Sequence, residues 1–438
     1  MLKTILLALL LMVMGIPAAG AADLGPNIRV GLVVNQFSAA LESQGAIKVA
    51  GNNGKNLTLK PGKHFVSMKQ GVLYVDNQKI GGSGASFLTA DAKKPLLVNH
   101  KNYRGAITAV LNSDKKTLNI VNVLPLESYL YGVVAKEIIP LWPDEAIKAQ
   151  TVAARSFALY QINNAAYPNF DIKANEMGQV YGGIGAEHAN TNKIIDATRG
   201  MVAVYDGQPI QAFFHSTSGG YTESSANVWG KAVPYLQAVK DYDQDSPNFS
   251  WEKTFTRDEL QRILAQAGYK TGPLEGIRLS ARKEAPMHTS DRGISGRVKQ
   301  VTFKGKTASV TLDGTKVRSL LGLDSTLFDI YVGINRPDYI EVPILNQYGM
   351  EIGKKKIPIK TSDKGKNLYT GSVGDLRLLS DVKEEKIFIS GNGWGHGLGM
   401  SQWGARGMAL AAAAKGEKNY YKKILEHYYT GIQVKKLY

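Results

Sequence analysis

Leu124-Pro-Leu-Glu-Ser-Tyr-Leu-Tyr-Gly-Val-Val-Ala-Lys-Glu-Ile-Ile-Pro140 is the stretch on which both the fold and the chemistry turn. Pro125 suits the first turn of a helix, where a missing N–H costs nothing. From there Leu126, Leu130, Val133 and Val134 fall at i, i+4, i+7 and i+8, one apolar stripe at helical period. Glu137 comes at i+11 on the same stripe, with Ile138 beside it and Pro140 ending the helix. An acid hemmed in by Val134, Ile138 and Trp142 is costly to ionise without a partner. Desolvation raises the pKa of such a group, which is what a general acid working near neutral pH needs. Periodicity alone leaves a second reading open, in which the helix ends a turn early and Glu137 is a solvated end residue.

Downstream, Pro143 and Asp144 mark the start of a second helix, expected to run to about Ile162. Its stripe is Ala146, Ala149, Ala153, Phe157 and Tyr160, small enough for close helix packing. Gln150 lies on that stripe, so its amide needs a partner. Arg155 falls on the opposite face and reads as solvated. Upstream, Asn27–Val34 alternates apolar and polar residues as a strand does, and Ala106–Leu111 and Thr117–Val123 flank a polar turn as a hairpin. Residues 201–240 return to strands. Arg257–Ala267 reads as a helix, and Asn335–Glu385 reads as strands with polar turns at Gly353–Lys356 and Ser362–Lys366. The helical stretches Ser401–Ala414 and Asn419–Tyr429 close the chain.

Two glycine-bearing segments carry further chemistry. Ile389-Ser-Gly-Asn-Gly-Trp-Gly-His-Gly-Leu-Gly-Met-Ser-Gln402 has glycine at every second position from 391 to 399. Extended, it has one bare face open to close backbone approach, with Asn392, Trp394, His396 and Leu398 on the other. It then opens a helix near Ser401, whose N–H groups can take an anion or a polar sugar substituent. The spacing is not that of a dinucleotide fingerprint. Ser216-Thr-Ser-Gly-Gly220 is a second polar turn, able to present hydroxyls and N–H groups to a sugar or to serve as an ordinary turn. Ser113-x-x-Lys116, Ser225-x-Asn227 and Lys270-Thr-Gly272 occur in the order used by penicillin-binding serine enzymes. There the serine must open a buried helix, whereas Ser113 sits in a polar hairpin turn, so that chemistry is set aside.

Composition bounds the rest. With 438 residues the chain has length for two or three domains. It has no cysteine, which excludes disulfides, cysteine catalysis and cysteine-ligated zinc. Its 7 histidines show no ligand spacing, and His215 and His396 are each isolated, so no metal and no cofactor are expected. Met-Leu-Lys, the apolar run Ile5–Ile16 and the small residues up to Ala22 form a secretory signal pattern. Cleavage after Ala21 is the expectation, with a retained anchor as the alternative and the only expected membrane contact. A formal net charge of +16 favours anionic polymers or surfaces. For an exported protein these are cell-wall polymers rather than nucleic acid.

Taken together, the segments resemble the stage II sporulation protein D / amidase enhancer (SpoIID/LytB) family of bacterial cell-wall proteins. The resemblance rests on Leu124–Glu137, Glu145–Ala158, His215–Thr222, Val233–Leu236, Gly296–Val298, Leu321–Phe328 and Gly395–Gln402, in family order. It implies action on peptidoglycan. Sporulation members are lytic transglycosylases that cut glycan strands stripped of their stem peptides, and the acid of their Val-Val-Ala-x-Glu segment matches Glu137. Some members carry a zinc site with cysteine ligands, which this chain cannot have. Under the resemblance Gln150, His215, Ser216, Ser218, Gly219 and Gly220 are candidates for binding and orienting sugar, as are His396, Gly397, Ser401 and Gln402. Amidase-enhancer members imply a different role, a wall-bound protein that stimulates a separate N-acetylmuramoyl-L-alanine amidase.

The fold expected is α+β: a strand-rich body with a packed helical pair carrying the acid, plus a smaller inserted α/β subdomain. The expected layout is a signal peptide at 1–21, a strand-rich part at 27–123 and a catalytic core at 124–250. The inserted subdomain at 251–334 and a strand-rich insertion at 335–385 follow, and 386–438 completes the core.

Overall fold

The computed structural model describes residues 24–89, 91, 93–114, 116–334, 339–345, 349–358, 372–380 and 385–438. The expected signal segment and the turn expected at Ser362–Lys366 lie outside these residues. Strands dominate and helices gather apart from them, the α+β class. The chain divides into two compact units, one formed by residues up to Phe213 together with Met408–Tyr438, the other by Phe214–Gly407.

The first unit is built on a seven-stranded sheet. Its spatial order is Ile172–Lys173, Asn27–Gln36, Leu118–Pro125, Ala106–Leu111, Gly84–Thr89, Ile47–Gly51 and Asn56–Leu59. The alternation read in the sequence sets the register: Ile28 faces Leu124 and Val30 faces Asn122 across the antiparallel pair. The expected hairpin is present, with Ala106 opposite Val123 and Leu111 opposite Leu118. A six-stranded sheet centred on Ser38–Ser43 and Gly62–Lys69 accompanies it. The chain leaves the strand Leu118–Pro125 directly into the helix Leu126–Glu137, then forms the helix Asp144–Asn164. Residues 408–438 return to this unit, where the strand Gln433–Lys436 pairs with Met201–Tyr205.

The helix Asp144–Asn164 is buried on every face from Ala146 to Leu159, with only Lys148 of that run partly exposed. This overturns the solvated Arg155. Its guanidinium is fully buried and bonds Glu127 through Nε and Nη2, both at 2.8 Å. An arginine opposite an apolar stripe reaches water only if that face is at the surface, and here the unit closes over it. Glu127 also accepts from the Tyr438 hydroxyl at 2.7 Å and from the Gly200 N–H at 3.3 Å.

The second unit has its own core between a five-stranded sheet, a three-stranded sheet and the helices Arg257–Gln266 and Gly314–Leu321. Leu260, Leu264, Ile277, Val301, Phe303, Phe328, Ile330 and Ile389 fill it. The first helix starts with a capping box, Thr256 and Glu259 each bonding the other's backbone N–H. Glu385–Asn392 pairs with Ser250–Phe255 on one side and Phe328–Ile334 on the other. Gly353–Lys356, expected as a turn, lies inside the strand Glu351–Pro358, paired with Tyr339–Leu345. Glu341 lies opposite Lys356 in that ladder, 3.9 Å from its Nζ and 4.0 Å from that of Lys354, so the lysines are accommodated on an exposed, charge-paired strand.

Candidate active site

Glu137 is the last residue of its helix. Ile138 donates its N–H to the Val134 carbonyl and turns to φ −135°, ψ 151°, so the chain leaves the helix there. The helix therefore reaches Glu137, and the reading that it ends a turn earlier is excluded. Glu137 is partly buried, and its Oε1 accepts the Val180 N–H at 2.8 Å. Beneath it lies Tyr129, fully buried, whose hydroxyl donates to Gln179 Oε1 at 3.1 Å. Gln179 Nε2 in turn donates to the Ala154 carbonyl at 3.2 Å, tying this wall to the second helix. The Tyr181 ring packs 4.9 Å from that of Tyr129. Gly132 makes this possible, because a Cβ there would sit 2.6 Å from the Tyr181 ring. The glycine weakens the helix by about 1 kcal/mol and is kept for the ring it admits.

The Glu137 carboxyl is raised above its ordinary pKa. Desolvation is the largest cause; the Val180 N–H opposes it and the charge of Glu176 adds to it. In the neutral acid Oε1 accepts from Val180 as a carbonyl oxygen would, which leaves the proton on Oε2. The same proximity drives the Tyr129 phenol well above its usual range, desolvation first and the Glu137 charge second.

Glu176 is the residue that sequence reasoning missed. It lies in the turn Asn175–Gly178, where Asn175 Oδ1 accepts the Met177 N–H at 3.0 Å and the Asn175 carbonyl accepts the Gly178 N–H at 2.9 Å. Gly178 is obligatory, since a Cβ would lie 2.3 Å from the Lys173 carbonyl. Ala174, Asn175, Glu176, Met177 and Val180 line an open depression of about 410 Å³. Ile139 and Leu141, which follow Glu137 closely in sequence, and Met177 in the turn are exposed apolar groups, Leu141 at 83%. Nothing in the turn's sequence separates Glu176 from any surface glutamate.

Gln150 belongs to the same unit. It is fully buried, and neither amide atom has a hydrogen-bond partner among the described residues. None of the described residues supplies the partner its position on the stripe called for.

The remaining candidates lie in the second unit. Phe214–His215 and Met400–Ser401 form a short parallel pair, which brings His215 and His396 to a ring separation of 5.3 Å. His215 Nδ1 bonds the Leu398 carbonyl at 3.1 Å, so Nδ1 carries the hydrogen. Its Nε2 is buried with no hydrogen-bond partner among the described residues. His396 Nδ1 accepts the Leu398 N–H at 3.0 Å. Both rings are held neutral. Burial pushes His215 well below its ordinary value, helped by His396 and Arg297. Burial, then Arg297 and Arg318, push His396 down to about 4.

The expectation of an extended glycine run fails. Gly393, Gly395, Gly397 and Gly399 all have positive φ, from 66° to 114°. Tertiary crowding explains three of them. A Cβ on Gly393 would meet the Thr217 carbonyl at 2.6 Å, on Gly395 the His215 Cβ at 2.9 Å, and on Gly397 the Arg297 Nε at 2.2 Å. The bare side of this segment is filled by protein. The Ser216–Gly220 turn is likewise engaged: Asp243 accepts from the N–H groups of Ser218, Gly219 and Gly220 and from the Ser218 hydroxyl. Asp243 itself is raised to about 6 by burial and by the charge of Asp241. Ser401 Oγ accepts the Gly404 N–H at 3.1 Å and so caps the helix that begins at Gln402. Ser216 stays partly exposed, and Trp394 is 47% exposed.

Comparison with known proteins places these elements. The family model described as stage II sporulation protein matches residues 114–205, the stretch that holds Glu137, Gln150, Arg155 and Glu176. A domain of unknown function matches residues 230–338. An uncharacterized protein of Brachyspira hyodysenteriae is 31% identical over 83% of this chain and 79% of its own length. The amidase enhancer of Bacillus subtilis is 30% identical over 84% of this chain, which spans 49% of that longer protein. Stage II sporulation protein D of Bacillus subtilis is 29% identical over 82% of this chain and 88% of its own length.

Proposed function

Because this chain belongs to the stage II sporulation protein D / amidase enhancer family, we propose that it is an exported peptidoglycan lytic transglycosylase with Glu137 as its single acid/base. The observation that carries the reading is the desolvated Glu137 carboxyl, raised in pKa and oriented by the Val180 N–H. Glycosidases ordinarily use two carboxylates, one of them to activate water or attack the sugar. A lytic transglycosylase needs no water. The Glu137 acid first protonates the oxygen leaving from the MurNAc–GlcNAc bond. The carboxylate so formed then takes the proton of the MurNAc C6 hydroxyl, whose oxygen attacks C1 and closes a 1,6-anhydro ring. One group with a raised pKa serves both steps and ends protonated, as it began. Glu176 favours the starting state by disfavouring a second negative charge nearby. Gln150, His215, Ser216, Ser218, Gly219 and Gly220, with His396, Gly397, Ser401 and Gln402, are proposed to bind or position the glycan.

The likeness to an amidase enhancer supports a second reading, a wall-binding protein that stimulates a separate amidase. Product analysis separates the two. Purified protein is incubated with glycan strands freed of stem peptides, and the digest is examined by mass spectrometry. The enzyme reading expects 1,6-anhydro-MurNAc ends that vanish in Glu137→Gln. Absence of those ends, or full activity in the variant, would sink it. Faster peptide release when an N-acetylmuramoyl-L-alanine amidase is added would favour the enhancer.

A further inference from the structure

The six-stranded sheet of the first unit turns one face to solvent. On its strand Gly62–Lys69, Val66 is buried opposite Ala39 and Val75, which are buried too. Side chains alternate along a strand, so Lys63, Phe65, Ser67 and Lys69 share the other face. Ala40 lies opposite Phe65, and Ser38 and Tyr74 lie on either side of Ser67, so the middle of this face is made of small side chains.

An aromatic–lysine pair occurs twice on it. The Lys63 ammonium lies 5.4 Å from the centroid of the Phe65 ring, and the Lys69 ammonium 5.4 Å from that of Tyr74. Phe65 is 51% exposed, and Phe37, 71% exposed, adds a ring where the strand Ser38–Ser43 begins. From Lys63 to Lys69 an extended strand runs roughly 20 Å, longer than a single sugar. The charge around this face is one-sided. Nine lysines fall between Ser38 and Asn102, against Glu42, Asp76 and Asp91. All nine are exposed, and none forms an ion pair among the described residues. The acids are partly engaged elsewhere: Asp76 bonds His64 and the Phe65 N–H, and Asp91 accepts the Lys93 N–H. Glu42 lies opposite Lys63 and offsets part of its charge. With histidine neutral, a surplus of six positive charges remains in this stretch.

We propose that this face docks the protein on an anionic polysaccharide, a linear chain of uronic-acid-type sugars, with Phe65 and Tyr74 packing on sugar rings and Lys63 and Lys69 taking the carboxylates. A ring and an ammonium this close together meet the apolar face of a sugar and its charged substituent within one residue of the ligand. A bilayer would draw the rings into its apolar layer and leave the ammonium groups at its surface, which separates the two. A polyol phosphate offers charge without a ring. That the polymer is one of the cell wall rests on the proposed export. The docking itself needs no catalysis and is independent of Glu137.

Binding is measured on the full-length protein by fluorescence anisotropy of labelled hyaluronan oligosaccharides, in which a uronic acid alternates with N-acetylglucosamine. Neutral chitohexaose, poly(glycerol phosphate), oligothymidylate and phosphatidylglycerol vesicles serve as competitors. Hyaluronan is expected to bind about tenfold more tightly than chitohexaose, an advantage that shrinks with added salt. The double variant Phe65→Ala/Tyr74→Ala is expected to weaken it about tenfold. Lys63→Gln/Lys69→Gln is expected to weaken it about fivefold and to flatten the salt dependence. Both variants should melt with the wild type, and Glu137→Gln should bind as the wild type does. Absence of hyaluronan binding, equal binding of chitohexaose, tighter binding of any of the other three competitors, or indifference to both double variants overturns the proposal. The outcomes separate from those for catalysis. Docking by a protein that never yields 1,6-anhydro ends keeps the site and removes the enzyme, and the converse result removes the site alone.

Discussion

Replacing Glu127 by glutamine tests how the helix that carries Glu137 is held to its neighbour. Both members of the Glu127–Arg155 pair are fully buried, and the carboxylate takes two guanidinium N–H groups at 2.8 Å. Glutamine keeps the shape but loses the charge and points an NH₂ at the arginine. Arg155 is then left with the carbonyls of Met201 at 3.2 Å and Ile195 at 3.3 Å. Removing one partner of a buried pair costs about 3–5 kcal/mol. At about 2–4 °C per kcal/mol for a unit of this size, the expected fall in melting temperature is roughly 6–20 °C. Arg155→Met should cost a comparable amount. The double variant Glu127→Gln/Arg155→Met buries no charge and is expected to lose about 2 kcal/mol less than the two single losses combined. Urea unfolding of the four proteins, followed by circular dichroism, closes the cycle. A loss below about 1 kcal/mol for Glu127→Gln would place the pair with surface salt bridges. That result, or single losses that add within about 0.5 kcal/mol, refutes the reasoning.

Glu176→Gln removes a charge that opposes ionisation of Glu137, so the Glu137 carboxyl should titrate at lower pH in ¹³C spectra of glutamate-labelled protein. Because the acid must be protonated to donate, any glycan-cutting activity should also decline from a lower pH; an unmoved titration counts against the contact. His396, held neutral down to about 4 against an ordinary 6.5, contributes stability that is complete above 6.5 and drains as pH falls through about 4. At about 1.4 kcal/mol per pH unit the loss is about 3 kcal/mol, less whatever solvent contact screens, and unfolding midpoints of wild type and His396→Gln between pH 7 and 4 should converge accordingly. Gly397→Ala and Gly230→Ala both place a side chain at positive φ, 82° and 71°, but only at 397 does the Cβ meet a neighbour, Arg297 Nε at 2.2 Å. Gly230→Ala should lose about 1–2 kcal/mol and Gly397→Ala clearly more, and equal losses by urea unfolding would mean that Arg297 yields freely.

The parts of this molecule that were legible in its sequence are those set by local rules. Pro125 and the stripe from Leu126 to Val134 placed the first helix, and an acid at the next position of that stripe announced its desolvation. The hairpin of Ala106–Leu111 and the α+β class followed from the same kind of pattern. What failed depended on contacts from far along the chain. Arg155 was misread because its partner Glu127 lies 28 residues away and the second helix has no wet face. The alternating glycines suggested a strand, yet their φ values answer to Thr217, His215 and Arg297. Glu176 meets Glu137 only because the Val180 N–H brings its turn alongside.

The position of Glu137 at the end of its helix has an electrical consequence. Aligned peptide dipoles give a helix a partial negative charge at its C-terminus, which disfavours an anion there by about 0.3–1 kcal/mol. The helix Leu126–Glu137 presents that pole to its own last side chain. The backbone therefore works in the same direction as burial and Glu176, toward the neutral acid. Unlike those two, this push belongs to no neighbouring side chain. No single substitution around the carboxyl can remove it while the helix still ends at residue 137.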